Sequence, residues 1–209
     1  MPDQKKSRSE LKREAIISAA KQAFQKDGAQ NTSMDSIAAM ANVSKRTVYN
    51  HFKNKEELVV YVISEFWEQL NADDQSPFDP TVAIADQLAK HVNEYTQLVS
   101  CSGYIALTRV AFGYYLYHPN DLKAQVDKSL KQKSGLYRCI TDAIQHNILY
   151  EHDVDAGIKQ IHHLVEGACF WQQFLGVEEP VNESVKRQTN RDTVNMYLNQ
   201  YAVERKHYR

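Results

Sequence analysis

Between Ser33 and Lys55 the chain places Lys45, Arg46, Thr47, Tyr49, Asn50 and His51 within seven residues. Cations, hydroxyls, an amide and an imidazole at this density can hydrogen-bond to phosphates and to base edges, provided one rigid element turns them outward. The spacing supplies such an element. Ser44 can cap a short helix whose inward residues are Val48 and Phe52, which leaves the six polar residues for its outer faces. Upstream, Ser33 can cap a companion helix with Ile37, Ala38 and Ala41 as its apolar stripe. Asn42 stands where the chain must turn sharply, and Asn is the commonest non-glycine residue in left-handed backbone. Val43 can plug the corner. Two short, mutually braced helices with a polar outer face suit the major groove of duplex DNA. The same pattern also fits an ordinary helix pair with a solvated basic face, so the surrounding chain decides.

Charge favours the first reading. The chain of 209 residues has a net charge of −1, but Met1 to Lys55 carries 11 Lys+Arg against 5 Asp+Glu, or +6. The remainder therefore holds 25 − 11 = 14 basic and 26 − 5 = 21 acidic residues, or −7. A basic end on an acidic body is the electrostatic footprint of a chain that meets polyanionic phosphate at one end. The elements that must position this surface are helical. Residues 1–7 form a polar arm; Ser7 and Glu10 have capping-box spacing. A first helix runs from there to about Asp27, with Ile16, Ala20, Ala23 and Phe24 on one face and Gly28 as its stop. A fourth helix, Lys55 to about Leu70, brings Leu58, Val59, Val62, Ile63, Phe66 and Trp67.

Together these residues resemble the DNA-binding domain of the TetR family of bacterial transcriptional regulators over positions 9–58. The likeness rests on Ile16, Ala20 and Phe24, on Gly28 and Thr32-Ser33, and on Ile37-Ala38, Ala41 and Val43-Ser44. It continues through Thr47-Val48-Tyr49-Asn50-His51-Phe52 and Lys53-Asn54-Lys55-Glu56-Glu57-Leu58. Two positions depart from the family pattern: Asn42 replaces the usual turn glycine, and Arg46 stands where a small residue is common. The resemblance implies that Ser33, Thr47, Tyr49, His51 and Lys55 touch phosphates, with Ser44 at the same face. It also implies that Lys45 and Arg46, and with them Asn50, reach base edges. Arg46 can fork onto guanine O6 and N7.

The stretch from Asn71 to Pro80 is polar, holds two prolines and ends the fourth helix. Beyond it, helices are expected at about 81–100, 102–117, 120–148, 153–175 and 182–204. The fold class is thus all-α: nine helices in two domains. A three-helix helix–turn–helix domain occupies 1–55, a connecting helix about 55–71, and a larger ligand-binding and dimerisation domain 72–209. This second part resembles the C-terminal domain of AefR-type TetR members, which also carry an arginine in an apolar helix. Family members bind inducers among the fourth to eighth helices. Candidate lining residues are therefore Phe66, Leu70, Tyr95, Tyr104, Arg109, Phe112, Tyr137, His163, Glu166, Phe170 and Trp171, an aromatic set with a few polar handles. Core packing is the competing account of each ring. Arg109 lies in the apolar run Ile105 to Phe112, where a buried cation calls for an acceptor. Glu166 is one such acceptor, an acidic ligand the other.

The helices at about 153–175 and 182–204 carry further apolar stripes. These are Ile158, Ile161, Val165, Ala168, Cys169 and Gln172 in one and Val194, Tyr197, Leu198 and Tyr201 in the other. They are expected to pair with a second copy, two helices from each chain making a four-helix bundle; service in the chain's own core is the competing account. A homodimer suits a palindromic operator, because one recognition helix reads few base pairs.

Several classes find no support. There is no Gly-rich phosphate loop, nucleophile elbow or clustered carboxylate pair, so no catalytic residues are assigned. His162 and Glu166 are four apart beside His163 but lack a fixed third ligand, so neither metal nor cofactor is expected. Cys101, Cys139 and Cys169 are far apart and odd in number, as in a reducing cytoplasm. No apolar run approaches the ~20 residues of a membrane span. The expected function is a cytoplasmic, ligand-responsive, sequence-specific DNA-binding regulator, a repressor released from its operator by a small molecule. The alternative is an α-helical binding protein or enzyme with no DNA role.

Overall fold

The structure is a computed structural model. It describes residues 7–72, 78–118, 120 and 134–203, and for 66–72 the backbone alone. Among these residues it is all-helical, with ten helices. They are α1 (Arg8–Asn31), α2 (Met34–Met40), α3 (Lys45–His51), α4 (Lys55–Ala72), α5 (Ile84–Val99), α6 (Ser102–Tyr117), α7 (Gly135–Gln145), α8 (Val154–Cys169), α9 (Trp171–Leu175) and α10 (Glu183–Tyr201). The expected helix at 120–148 falls in part on residues 121–133, outside the described set. The helix expected at 153–175 breaks at Phe170 (φ −125°, ψ −61°) into α8 and α9.

The chain divides into two compact units: Met1–Phe66 with Ala106–Lys123, and Trp67–Ile105 with Ala124–Arg209. In the first unit, α1 opens on a complete capping box. The Glu10 amide donates to Ser7 Oγ at 3.2 Å, and the Ser7 amide to Glu10 Oε2 at 2.6 Å. Ile16, Ala20, Ala23 and Phe24 turn inward onto Ile37, Ala38, Val48, Phe52, Leu58, Val59 and Val62. Leu107 and Ala111 of α6 join that core, a contribution the sequence did not announce. Gly28 ends the regular part of α1 with φ 77° and ψ 152°. Thr32 closes the end by donating its hydroxyl to Gly28 O at 2.8 Å.

In the second unit, α10 packs along α5 and α8. Ile161, Val165 and Cys169 of α8 and Val194, Tyr197 and Leu198 of α10 are buried within a single chain. These buried members of the two stripes therefore belong to this unit's own core, α5 packing on both helices, whereas Ala168 and Gln172 of the same stripe are exposed and Ile158 and Tyr201 half-buried. Buried polar groups pin the helices to each other. Thr96 Oγ1 donates to Asn190 Oδ1 at 2.5 Å, and Asn190 Nδ2 to Asn93 Oδ1 at 3.2 Å. The segment between α7 and α8 is tied to the end of α10 by an isolated antiparallel bridge, Leu149 to Ala202. His152 Nε2 lies 2.7 Å from the Tyr197 hydroxyl. Gly157 permits that approach, since a Cβ there would stand 3.0 Å from Tyr197 Oη and 3.2 Å from His152 Nε2.

Gly28 gives a direct test of the α1 terminus. A Cβ would meet nothing within 4 Å, so the constraint is conformational and not steric. Gly28→Ala should lower stability by about 1–3 kcal/mol, the usual cost of a side chain in this backbone region, as read from urea unfolding.

Candidate nucleic-acid interface

α3 is positioned by its two ends and its one buried face. Ser44 Oγ accepts from the Thr47 amide at 3.1 Å, which makes it the N-cap. Its hydroxyl also lies 2.8 Å from Thr47 Oγ1. Val48 is fully buried and Phe52, the C-cap residue, nearly so. Asn42 adopts φ 52°, the left-handed turn that its amide side chain tolerates. Ser33 caps α2, its Oγ accepting from the Ser36 amide at 3.0 Å, and the Ser33 amide in turn donates to Ser36 Oγ at 3.1 Å.

With Val48 inward, Ser44, Lys45, Arg46, Tyr49 and Asn50 are exposed, as is Ser33 on α2. Tyr49 is 44% exposed, so its ring is not part of the core. Thr47, His51 and Lys55 are half-buried. Two of the cations already have protein acceptors. Lys45 Nζ donates to Asp35 Oδ2 at 2.9 Å, and Lys55 Nζ to Gln30 O, near the end of α1, at 3.1 Å. Arg46 makes no ion pair among the described residues. Behind the interface, the Arg13 guanidinium lies 4.0 Å from the Tyr61 ring centroid and 5.1 Å from that of Phe52, a cation–π contact that clamps the end of α3 against α1 and α4. Sequence spacing offered no sign of Arg13 or Asp35, because both act across elements.

The candidate effector residues are brought together only in part. In the second unit Tyr95 is buried, donates its hydroxyl to Glu166 Oε1, and stacks on the His162 ring at 4.0 Å between centroids. Burial, then the nearby Glu166 charge, raises the Tyr95 phenol well above its usual range. Burial, then His163, pushes His162 down to about 4, so the imidazole is neutral at pH 7. Tyr104 and Phe170 are buried, with ring centroids 6.3 Å apart. Tyr137 is half-buried and His163 exposed. Trp171 is 42% exposed. Arg109 and Phe112 lie on the part of α6 that belongs to the first unit, and both are exposed. Burial therefore does not demand an acceptor for Arg109, contrary to the reading of its apolar neighbourhood. The side chains of Phe66 and Leu70 lie outside the described residues. Among the described residues no group of three or more His, Cys, Asp or Glu could hold a metal ion. Cys139 and Cys169 are buried and Cys101 is exposed; burial raises the Cys169 thiol and so disfavours its reactive form.

Comparison with known proteins agrees with this geometry. Residues 16–62 match the model of the bacterial regulatory proteins of the tetR family, and residues 86–203 that of the AefR-like transcriptional repressor C-terminal domain. The chain belongs to the TetR family. A TetR-family regulator from Pseudomonas syringae pv. tomato is 30% identical, with a TM-score of 0.69 over 93% of this chain and 98% of that one. An uncharacterized helix–turn–helix regulator, YhgD of Bacillus subtilis, is 32% identical over 71 residues, which are 34% of this chain and 37% of its own length. The DNA-binding transcriptional repressor TetR of Mycobacteroides abscessus is 42% identical over 53 residues, 25% of this chain and 28% of that protein. The curated relatives are thus matched over well under two thirds of their length. This TetR-family chain is a transcriptional regulator with a DNA-binding domain, and no helix among its described residues is long and apolar enough to cross a membrane.

The half-buried His162 imidazole makes stability depend on pH. The folded value of about 4 lies below the ordinary 6.5, so between these limits the unfolded chain binds more protons. The contribution is complete above pH 6.5 and should be lost as pH falls towards 4, by up to roughly 3 kcal/mol. Urea unfolding at stepped pH should show His162→Gln with a shallower decline than the native chain.

Proposed function

We propose that this regulator is a homodimeric repressor that grips a palindromic operator with two copies of α3 and releases it when a small molecule binds among the helices of the second unit. The observation that carries the DNA half is the orientation of α3: burial of Val48 leaves Lys45, Arg46, Tyr49 and Asn50 facing outward from a capped helix. In this reading Arg46 reads guanine, Lys45 and Asn50 reach neighbouring base edges, and Ser33, Ser44, Thr47, Tyr49, His51 and Lys55 hold the backbone. Lys55 retains donors beyond the one given to Gln30, so a phosphate contact remains open to it.

The dimer half rests on the exposed edge of the same helices, the side that carries Ala168. Leu164, Ala168, Trp171 and Leu175 succeed one another at helical spacing along α8 and α9, and all are exposed, Leu175 at 66%. On α10 Val185 and Met196 are exposed as well. An apolar strip of this kind is covered in a folded assembly, and a second copy would match it through a two-fold axis. The effector half rests on the Tyr95–His162–Glu166 cluster with Tyr104 and Phe170, where aromatic faces adjoin a carboxylate. α4 continues from the first unit into the second, so its movement would carry the signal. A coupling of about 1–3 kcal/mol would release the operator roughly 5- to 150-fold.

Gel-shift titration with the DNA upstream of its own gene tests the reading, and failure to bind any duplex at low salt would refute it. Arg46→Ala should reduce the preference for operator over random DNA by roughly 5- to 150-fold per half-site, whereas equal losses on both would remove Arg46 from base reading. Trp171→Glu with Leu175→Glu should yield a helical monomer in analytical ultracentrifugation with weakened operator binding. A variant that stays dimeric would place the interface elsewhere.

A further inference from the structure

Asp35 has no counterpart in the roles assigned so far. It lies in the first turn of α2, and its two carboxylate oxygens each stand 2.9 Å from the Nζ of Lys45, the first residue of α3. Both side chains are more than half exposed, at 62% and 61%, so the couple sits on the surface and is not part of the core. The hydrogen bond and then the charge of Asp35 raise the Lys45 ammonium above its ordinary value. The next residue, Arg46, makes no ion pair among the described residues. The leading turn of α3 therefore presents one bare guanidinium beside a neutral couple.

The difference matters because random DNA is bound through charge. Each cation that reaches a phosphate releases counterions and adds about 0.9 to the slope of log affinity against log salt. An ammonium held by a neighbouring carboxylate adds little to that slope. Sequence-specific contacts by Arg46 are untouched by the couple. We infer that Asp35 is a specificity-determining residue that acts through Lys45: on random sequence it holds the ammonium off the phosphates and so suppresses binding, and only on the operator does Lys45 leave it for a base edge. The inference rests on α3 being the DNA-facing helix.

The test compares the native full-length chain with Asp35→Asn, Lys45→Gln and the double variant on one mixed-sequence duplex, by fluorescence anisotropy across a salt series. Asn keeps the size of Asp at an exposed site, and circular dichroism checks that each variant is folded. Asp35→Asn should steepen the salt slope by about 0.9 for each head engaged, equivalent to roughly eightfold tighter binding at about 0.1 M salt relative to 1 M. The double variant should return to the native slope, because the freed Lys45 is the cause. An unchanged slope in Asp35→Asn, with the native chain binding, overturns the inference alone. A steeper slope that persists in the double variant overturns it as well, since the effect would then come from the lost carboxylate without Lys45. A native chain that ignores the duplex at low salt overturns the DNA-facing reading and this inference with it.

Discussion

The burial of Val48 and Phe52 fixes which side chains α3 can present. α3 has only seven residues, and one of them, Val48, is buried. A helix so short has little stability of its own, so its direction comes from what it docks against. Once Val48 is inside, the 3.6-residue period assigns the outward set with no remaining freedom. Phe52 extends the anchor past the helix end, and the Arg13 guanidinium against Phe52 and Tyr61 ties that anchor to α1 and α4. The caps act on the same geometry: Ser44 satisfies an orphan amide at the end that carries Lys45 and Arg46, so the leading turn is held and not frayed.

A unit built this way is short of core. Three helices of about fifty residues bury too little apolar surface to be robust alone. The first unit adds Leu58, Val59 and Val62 from α4, then Leu107 and Ala111 from α6. Lys21 and Glu65, 2.7 Å apart, add a partly shielded pair between α1 and α4. The stability of the reading head thus depends on residues far from it in sequence.

Local features were legible in the sequence because their causes are local. Ser7, Ser33 and Ser44 cap where hydroxyl spacing placed them, Asn42 turns with positive φ, and Gly28 breaks α1. Non-local features were not. The stripe of Ile161, Val165 and Cys169 has the same period whether it faces a second copy or α5, and only the fold shows that the chain's own helices cover it. Arg109 looked buried because its neighbours in sequence are apolar, yet one face of α6 is exposed and Arg109 lies on it. Lys45 to Asp35 and Lys55 to Gln30 join residues 10 and 25 positions apart, a separation at which spacing carries no signal.

The polar interior of the second unit holds two kinds of hydrogen-bonded pair. Thr96 with Asn190, and His152 with Tyr197, are buried or partly buried pairs that hold each helix in register and would cost an unpaired donor to disturb. Tyr95 and Glu166 differ, because Glu166 is half-buried and an ionised carboxylate accepts more bonds than one phenol supplies. A ligand donor that displaces the Tyr95 hydroxyl exchanges one partner for another and leaves the carboxylate satisfied. The displaced phenol then needs a new acceptor, and its ring is still stacked on a neutral His162. A ligand able to supply that acceptor as well as a donor would favour the rearranged state over the resting one, and such differential affinity is the only means by which binding shifts a conformational equilibrium.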